Sequence, residues 1–237
     1  MHSKILPYSL LFILFLSFGC ANTAKKDTKS TKKIEPKKDS LNLDTIKAKE
    51  APEKFVLTED NVLDFFFNYS KTLQESTVKI TTNLGSFTIQ LYDNVPYHKT
   101  NFIYLTKKGY FNGTYFHRVV KNFIIQGGNS DNVSVIKKRK EIGRYLLPPD
   151  TRKGHKHHRG TISMPSSEND NPHKLASPYE FFIVVTKPGS YHLDKDYTPF
   201  GKVIQGMDVV DLINRQEVDA GDWPLQNIYI LKAEVTK

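Results

Sequence analysis

The chain has 237 residues, of which 38% are hydrophobic and 25% charged, a balance that excludes a wholly disordered protein and allows one or two folded domains. The formal net charge of +9 suggests an anionic partner such as nucleic acid or a membrane surface. A single cysteine, Cys20, excludes both an intramolecular disulfide and a cysteine-rich zinc site.

The N-terminal segment has the pattern of an export signal. Residues 5–18 form an apolar run, and about 14 residues is too short for a membrane span but typical of a signal-peptide core. Residues 16–20 resemble a bacterial lipobox, in which the cysteine is acylated, although Ser17 stands where leucine is usual. We predict a signal peptide over 1–19 and lipidation at Cys20. The alternative is an ordinary secretory signal in which the cysteine is incidental.

Residues 20–53 are predicted to be the lipidated cysteine and a flexible tether. Lys, Thr, Ser, Asp and Glu dominate this segment, so it cannot bury enough apolar surface to offset its ordering entropy. Lysines outnumber acidic residues here, which favours either a solvated spacer or attraction to anionic lipid headgroups. We therefore expect a monomeric, membrane-anchored lipoprotein of the cell envelope without a nucleic-acid partner. Ala21 favours the periplasmic side of the outer membrane if the organism is Gram-negative.

Residues 54–76 are predicted to be a helical extension of the following domain. Thr58 is the expected N-cap because acidic residues follow it in the first turn. Apolar residues then recur at helical spacing at Val62, Phe65, Phe66 and Tyr69. This apolar side predicts a helix that packs on the next domain.

Alternation of apolar and polar residues begins at Thr77 and predicts a hairpin with its turn at 83–86. A helix is expected to begin near Pro96 and to end at Gly109, and a second to cover 206–214. Further short strands are predicted at 115–120, 123–126, 160–164, 181–186, 200–204 and 227–235. Many short strands with two helices predict a mainly β fold, a closed antiparallel barrel capped by the helices.

The densest motif covers residues 115–128 and contains Phe116-His117-Arg118, then Phe123, then Gln126-Gly127-Gly128. It resembles the signature of cyclophilin-type peptidyl-prolyl isomerases. Blocks at 160–164, 181–183, 193–194, 200–203 and 206–210 are similar to the family pattern and occur in its order. The resemblance implies an eight-stranded cyclophilin-like barrel over 77–237, and a peptidyl-prolyl cis-trans isomerase that needs neither cofactor nor metal.

The chemistry of prolyl isomerisation explains why such a motif contains an arginine. Turning the bond breaks amide resonance and faces a barrier of about 18–20 kcal/mol. As the amide twists, the prolyl nitrogen regains its lone pair and becomes a hydrogen-bond acceptor, so a fixed cationic donor stabilises the transition state more than the ground state. Arg118 suits this catalytic role because its guanidinium stays charged. Gln126 is the second candidate and would orient substrate and arginine.

The family resemblance also implies which residues bind substrate. It assigns the proline slot to Phe123, Phe182 and Leu193, with Ile124 where methionine is usual. Four further candidates stand at positions where this chain departs from the family or from many of its members: Ser166, Glu180, His192 and Tyr197. Glu180 replaces a glutamine, and we expect its carboxylate to bind Arg118 and either orient it or compete with substrate.

Two alternatives remain at the level of sequence. A basic insertion between Gly128 and Gly160 carries histidines at 155, 157 and 158, which allows a metal site, although the interleaved lysines oppose a cation. The domain is either an isomerase that assists folding of proline-containing segments of envelope proteins, or a proline-peptide-binding chaperone or scaffold with little turnover. Glu180 and Pro165 favour the second reading, and the intact motif favours the first.

Overall fold

Alternating apolar residues form eight strands that close into an antiparallel barrel in the computed structural model, which describes residues 55–166 and 170–236. The strand order is β1-β2-β7-β5-β6-β4-β3-β8, and β8 pairs back with β1. This confirms the predicted mainly β fold. The strands are β1 (Thr77–Thr82), β2 (Gly85–Leu91), β3 (Tyr115–Val120), β4 (Ile124–Asn129), β5 (Thr161–Ser163), β6 (Phe181–Val184), β7 (Pro199–Gln205) and β8 (Ile228–Val235).

The hydrophobic core fills the barrel. In the first hairpin Val78 pairs with Ile89 and Ile80 with Phe87, and all four side chains are buried. Successive residues of a strand point to opposite faces, so this period of two delivers every second side chain to the interior. Each such burial contributes roughly 1.5–3 kcal/mol relative to an exposed side chain.

The two predicted capping helices are present as α2 (Pro96–Lys107) and α4 (Met207–Asn214). Pro96 stands at the start of α2, where its missing N–H costs no hydrogen bond. Gly109 follows the end of α2 with φ of 63°, a conformation that glycine adopts without strain. Among the described residues, every helix is too short or too polar to cross a membrane.

The N-terminal extension contains α1 (Val62–Ser70), but the predicted N-cap at Thr58 is wrong. A turn intervenes, and the helix begins after Asn61, whose Oδ1 accepts from the Thr58 N–H at 2.8 Å. The helix packs against α2 as predicted, with the Phe66 and Tyr104 ring centroids 5.8 Å apart.

The basic insertion contains a helix that the sequence analysis did not predict, α3 (Val133–Ile142). Its N-cap is Asn132, whose Oδ1 accepts from the Ser134 N–H at 2.9 Å. Lysine and arginine have high helix propensity, but only Val135 and Ile142 of this helix are buried. The sequence therefore lacks the apolar periodicity from which a helix is predicted.

The insertion and the N-terminal extension are joined by backbone hydrogen bonds. The Leu57 N–H donates to the Ile142 carbonyl at 2.8 Å, and the Arg144 N–H donates to the Leu57 carbonyl at 3.1 Å. Gly143 permits this approach, because a Cβ at that position would overlap the Leu57 carbonyl. Both additions to the barrel therefore pack together as one structure.

The predicted signal peptide, the predicted lipidation site Cys20 and the whole predicted tether fall outside the described residues.

Candidate active site

A bulge in β3 places two consecutive side chains on the outer face of the barrel. Phe116 pairs with Gly127 and Arg118 pairs with Gln126, so His117 is an extra residue without its own partner. The Phe116 ring is buried in the core, while Arg118 is 43% exposed. Gly127 makes room for that ring, because a Cβ there would lie 2.9 Å from it.

The two catalytic candidates and one substrate-binding candidate lie in one row across three strands. Arg118 of β3 pairs with Gln126 of β4, which in turn pairs with Phe182 of β6. Directly paired residues share a face, and neighbouring strands are about 4.8 Å apart, so the three side chains project side by side within about 10 Å. The structure thus brings together the predicted donor, the orienting amide and one wall of the proline slot.

An apolar cluster lies beside this row, at the predicted proline slot, and is separate from the hydrophobic core of the barrel. Its buried members are Ile124, Phe182 and Val184. The partly exposed side chains that pack against them are Val120, Phe123, Leu193 and Tyr197. Tyr197 stands perpendicular to Phe182 with centroids 5.4 Å apart, and His192 stacks on Phe123 at 5.5 Å. Five predicted substrate-binding residues thus form one cluster, with His192 at its edge.

Glu180 does not bind Arg118, so that prediction is wrong. Its carboxylate accepts from Gln126 Nε2 at 3.0 Å and from Asn129 Nδ2 at 3.2 Å, and His117 Nε2 lies 3.5 Å away. The cause is the strand register: Glu180 precedes Phe181 at the start of β6, opposite the end of β4, so its carboxylate faces Gln126, Asn129 and His117 rather than Arg118.

Arg118 has a different carboxylate nearby. Its guanidinium lies 3.5 Å from Asp222 Oδ2, a long contact between two side chains that are each more than a third exposed. Such an ion pair contributes little stability, about 0–1 kcal/mol. The guanidinium therefore keeps donors available for a substrate.

Comparisons with known proteins agree with this geometry. The family profile described as cyclophilin type peptidyl-prolyl cis-trans isomerase/CLD matches residues 77–235. The chain belongs to this family.

Two relatives and one solved structure show how far the likeness extends. A peptidyl-prolyl cis-trans isomerase-like 2 protein of Rhizopus delemar is 33% identical over 83% of this chain, which covers 35% of that relative's length. A peptidyl-prolyl cis-trans isomerase of Arabidopsis thaliana is 35% identical, over 67% of this chain and 95% of its own length. A Cryptosporidium parvum cyclophilin type isomerase, crystallised in the presence of the dipeptide Ala-Pro, has a TM-score of 0.57 and 27% identity, covering 68% of this chain and 99% of its own.

In this cyclophilin domain Glu180 fixes the orientation of Gln126. A carboxylate only accepts hydrogen bonds, so the Gln126 amide nitrogen must face it and the amide oxygen points away. Burial alone raises the pKa of Glu180, but the hydrogen bond and charge of His117, together with Gln126 and Arg139, outweigh it and hold the pKa below its ordinary value. The ionised form therefore persists, and the Gln126 oxygen, which has no donor among the described residues, can accept from a substrate.

Replacing Glu180 with glutamine is expected to lower kcat/KM about 3- to 10-fold, because the loss of a charge-assisted hydrogen bond of about 1–2 kcal/mol frees the Gln126 amide to flip. The measurement is NMR exchange on a proline-containing peptide. Glu59→Gln, which removes the same charge from the N-terminal extension, serves as the control. An increase in kcat/KM would instead indicate that the Glu180 carboxylate hinders the substrate at Gln126.

Ser166 lies three residues beyond the end of β5. Its residue pairs with Ala176 in an isolated bridge, and its buried hydroxyl has no hydrogen-bond partner among the described residues. The neighbouring Pro165 carbonyl accepts from the Ser177 N–H at 2.7 Å. Contact with a bound peptide at Ser166 remains a prediction.

The three histidines of the insertion take separate partners. His155 Nε2 lies 2.7 Å from Asn94 Oδ1, His158 Nδ1 lies 2.9 Å from the Tyr191 hydroxyl, and His157 is buried elsewhere. Within residues 55–166 and 170–236, no group of three His, Cys, Asp or Glu side chains is arranged to hold a metal ion.

His157 is a site residue that sequence reasoning missed. Its Nδ1 lies 2.8 Å from Asp194 Oδ1 and its Nε2 lies 2.9 Å from Ser163 Oγ. The ring lies parallel to Phe182 with centroids 6.0 Å apart. His157 therefore contacts the slot through two residues. Its ring packs on Phe182, and it binds Asp194, which directly follows Leu193. In the sequence, the one indication of this contact was Asp194 next to the slot residue Leu193. His157 itself stands in a histidine cluster, which suggested metal binding instead.

Proposed function

We propose that the Arg118 guanidinium donates a hydrogen bond to the prolyl nitrogen as the bond twists. The observation that carries this proposal is the row of Arg118, Gln126 and Phe182 beside an apolar slot. The slot holds the pyrrolidine ring while the carbonyl on its N-terminal side rotates, and the Gln126 oxygen accepts from the peptide or from the guanidinium. An acceleration of about 10⁵-fold requires about 7 kcal/mol, which positioning and one charged donor supply.

Proline-containing peptide segments are the proposed substrates. The slot is lined by aromatic and aliphatic side chains, which suit a proline ring, and the relative from Cryptosporidium parvum was crystallised with Ala-Pro. No bond is broken and no proton is transferred in the reaction, so a donor, an acceptor and an apolar slot are sufficient. Catalysed exchange of a model peptide that depends on Arg118 is the test.

We further propose that the domain acts in the cell envelope on proline-containing segments of envelope proteins. The support is the sequence of the N-terminal region: an apolar signal core, Cys20 in a lipobox-like setting, and a polar tether to the folded domain. Acyl chains on the cysteine would supply stable membrane attachment. The outer membrane, periplasmic face, is the proposed location in a Gram-negative host.

Cys20→Ser is expected to abolish incorporation of labelled palmitate and to move the protein from the membrane fraction to the soluble fraction. The measurement is metabolic labelling with a palmitate analogue followed by membrane fractionation of cells that express the full chain. Ser17→Leu, which restores the usual lipobox leucine, should retain the label. Unlabelled wild type, or a labelled Cys20→Ser variant, would rule out lipidation at this cysteine.

Capture of proline segments with little turnover is the second candidate function. Pro165 favours it, because this residue lacks a backbone N–H just beyond β5, and its carbonyl already accepts from Ser177. Peptide binding with an exchange enhancement of less than tenfold would select this function. Glu180 no longer favours it, since its carboxylate faces Gln126.

A further inference from the structure

A second pocket of about 230 Å³ adjoins the catalytic row on the outer face of the barrel. Its lining residues are Tyr115, His117, Asn129, Ser130, Asp131 and Trp223. Two of its lining residues are sequence neighbours of active-site residues. His117 directly precedes Arg118, and Trp223 directly follows Asp222, whose carboxylate lies 3.5 Å from the guanidinium.

The aromatic wall of the pocket is built by a fixed turn. Asp219 Oδ1 accepts from the Trp223 N–H at 2.9 Å and from the Gly221 N–H at 2.8 Å, and the Asp219 N–H donates to the Trp223 carbonyl at 2.9 Å. The indole is 46% exposed and lies 6.1 Å from the Tyr115 ring, centroid to centroid. Because the turn is already ordered, little entropy is lost when a ligand contacts this wall.

The polar groups of the pocket favour a positive charge. Asp131 presents an exposed carboxylate, with the Tyr115 hydroxyl 3.5 Å from its Oδ1. No lysine or arginine is among the residues that line the pocket in the described part of the chain. Aromatic faces attract cations through their quadrupole, and a carboxylate beside them adds direct attraction.

We propose that this pocket is a subsite for a lysine or arginine side chain of the client, close in sequence to the proline that is isomerised. The inference rests on the proposed function, since the client must also occupy the slot. A long basic side chain matches the pocket because its apolar stem covers the rings of Trp223 and Tyr115 while its charged head reaches Asp131. An extended peptide advances about 3.3 Å per residue, so a pocket adjacent to Arg118 is reached two or three residues from the proline.

The test compares matched peptides that carry lysine or the neutral isostere norleucine at the second and third positions on each side of the proline. We expect lysine to raise kcat/KM about 5- to 10-fold at one of these positions, and we expect added salt to reduce the preference. Trp223→Ala and Asp131→Asn should both bring the lysine-to-norleucine ratio close to one. Asp64→Asn, which removes the same charge from α1, should leave the ratio unchanged.

Binding is measured independently of turnover. Trp223 is the one tryptophan of the chain, so its fluorescence reports directly on the pocket. Tighter binding of the lysine peptide supports the subsite even if no peptide is turned over, an outcome that would overturn only the catalytic proposal. Equal affinities and equal rates for the two peptides at every position would overturn the subsite, as would a preference for norleucine over lysine or a lysine preference that survives both substitutions.

Discussion

Replacing Arg118 with alanine is expected to lower kcat/KM for prolyl isomerisation about 100- to 1,000-fold, the range found when a fixed transition-state donor is removed. Affinity for the peptide should change much less, because the planar ground-state nitrogen is a poor acceptor and the slot remains intact. NMR exchange on a model Xaa-Pro peptide measures the rate, and chemical-shift titration measures the affinity. A loss confined to kcat would identify an interaction that forms only in the transition state.

Two companion variants sharpen this test. Arg118→Lys keeps the charge but loses the planar set of donors, so we expect an intermediate rate. Arg152→Ala removes the same charge from an exposed site of the insertion and should behave as wild type. If Arg118→Ala kept kcat/KM within threefold of wild type, the donor would have to be another group, and the role assigned to Arg118 would be wrong.

The barrel was predictable because its signals are local. Alternation in the first hairpin, Pro96 at a helix start and Gly109 at a helix end each act within a few residues, and each is found where the sequence placed it. Helix α3 was not predictable in the same way. Only two of its residues are buried, and what stabilises it is a contact with Leu57, far away in sequence.

In the functional site, too, locally determined features were predictable and long-range ones were not. Arg118 and Gln126 lie opposite each other because two strands joined by a short turn have their register set locally. The partner of Glu180 was predicted wrongly because it depends on how β6 aligns with β4, across a connection that includes the whole insertion. The bulge at His117 could not be predicted from the sequence either, although it determines which side chains of β3 face outward.

Replacing His157 with leucine is expected to destabilise the fold by about 2–3 kcal/mol, because Asp194 loses a donor and the buried Ser163 hydroxyl loses its acceptor. It should also raise KM about tenfold. Leu193 belongs to the slot and is held next to Asp194, so a loosened Asp194 displaces one wall of the proline site. Urea unfolding measures the first effect, and NMR kinetics over a range of peptide concentrations measure the second.

Two variants separate positioning from stability. His157→Gln retains a donor and an acceptor and should recover part of the lost affinity. His155→Leu alters a histidine of the same insertion that bonds to Asn94 and stacks on Tyr92, so KM should not change. If His157→Leu lowered stability and left KM unaltered, His157 would be a purely structural residue.

The pH dependence of stability provides an independent check on His157. Burial lowers its pKa, and the nearby Asp194 carboxylate only partly opposes this, so the folded ring stays neutral below the ordinary value of about 6.5. The unfolded chain takes up a proton there and the folded protein does not, so the free energy of unfolding should fall as pH drops below about 6.5 and level off once the folded ring titrates. His157→Leu lacks this group and should show a shallower decline over the same range. Equal slopes for wild type and variant would mean that the ring gains its proton in the fold as readily as in the unfolded chain, which its buried position between Asp194 and Ser163 argues against.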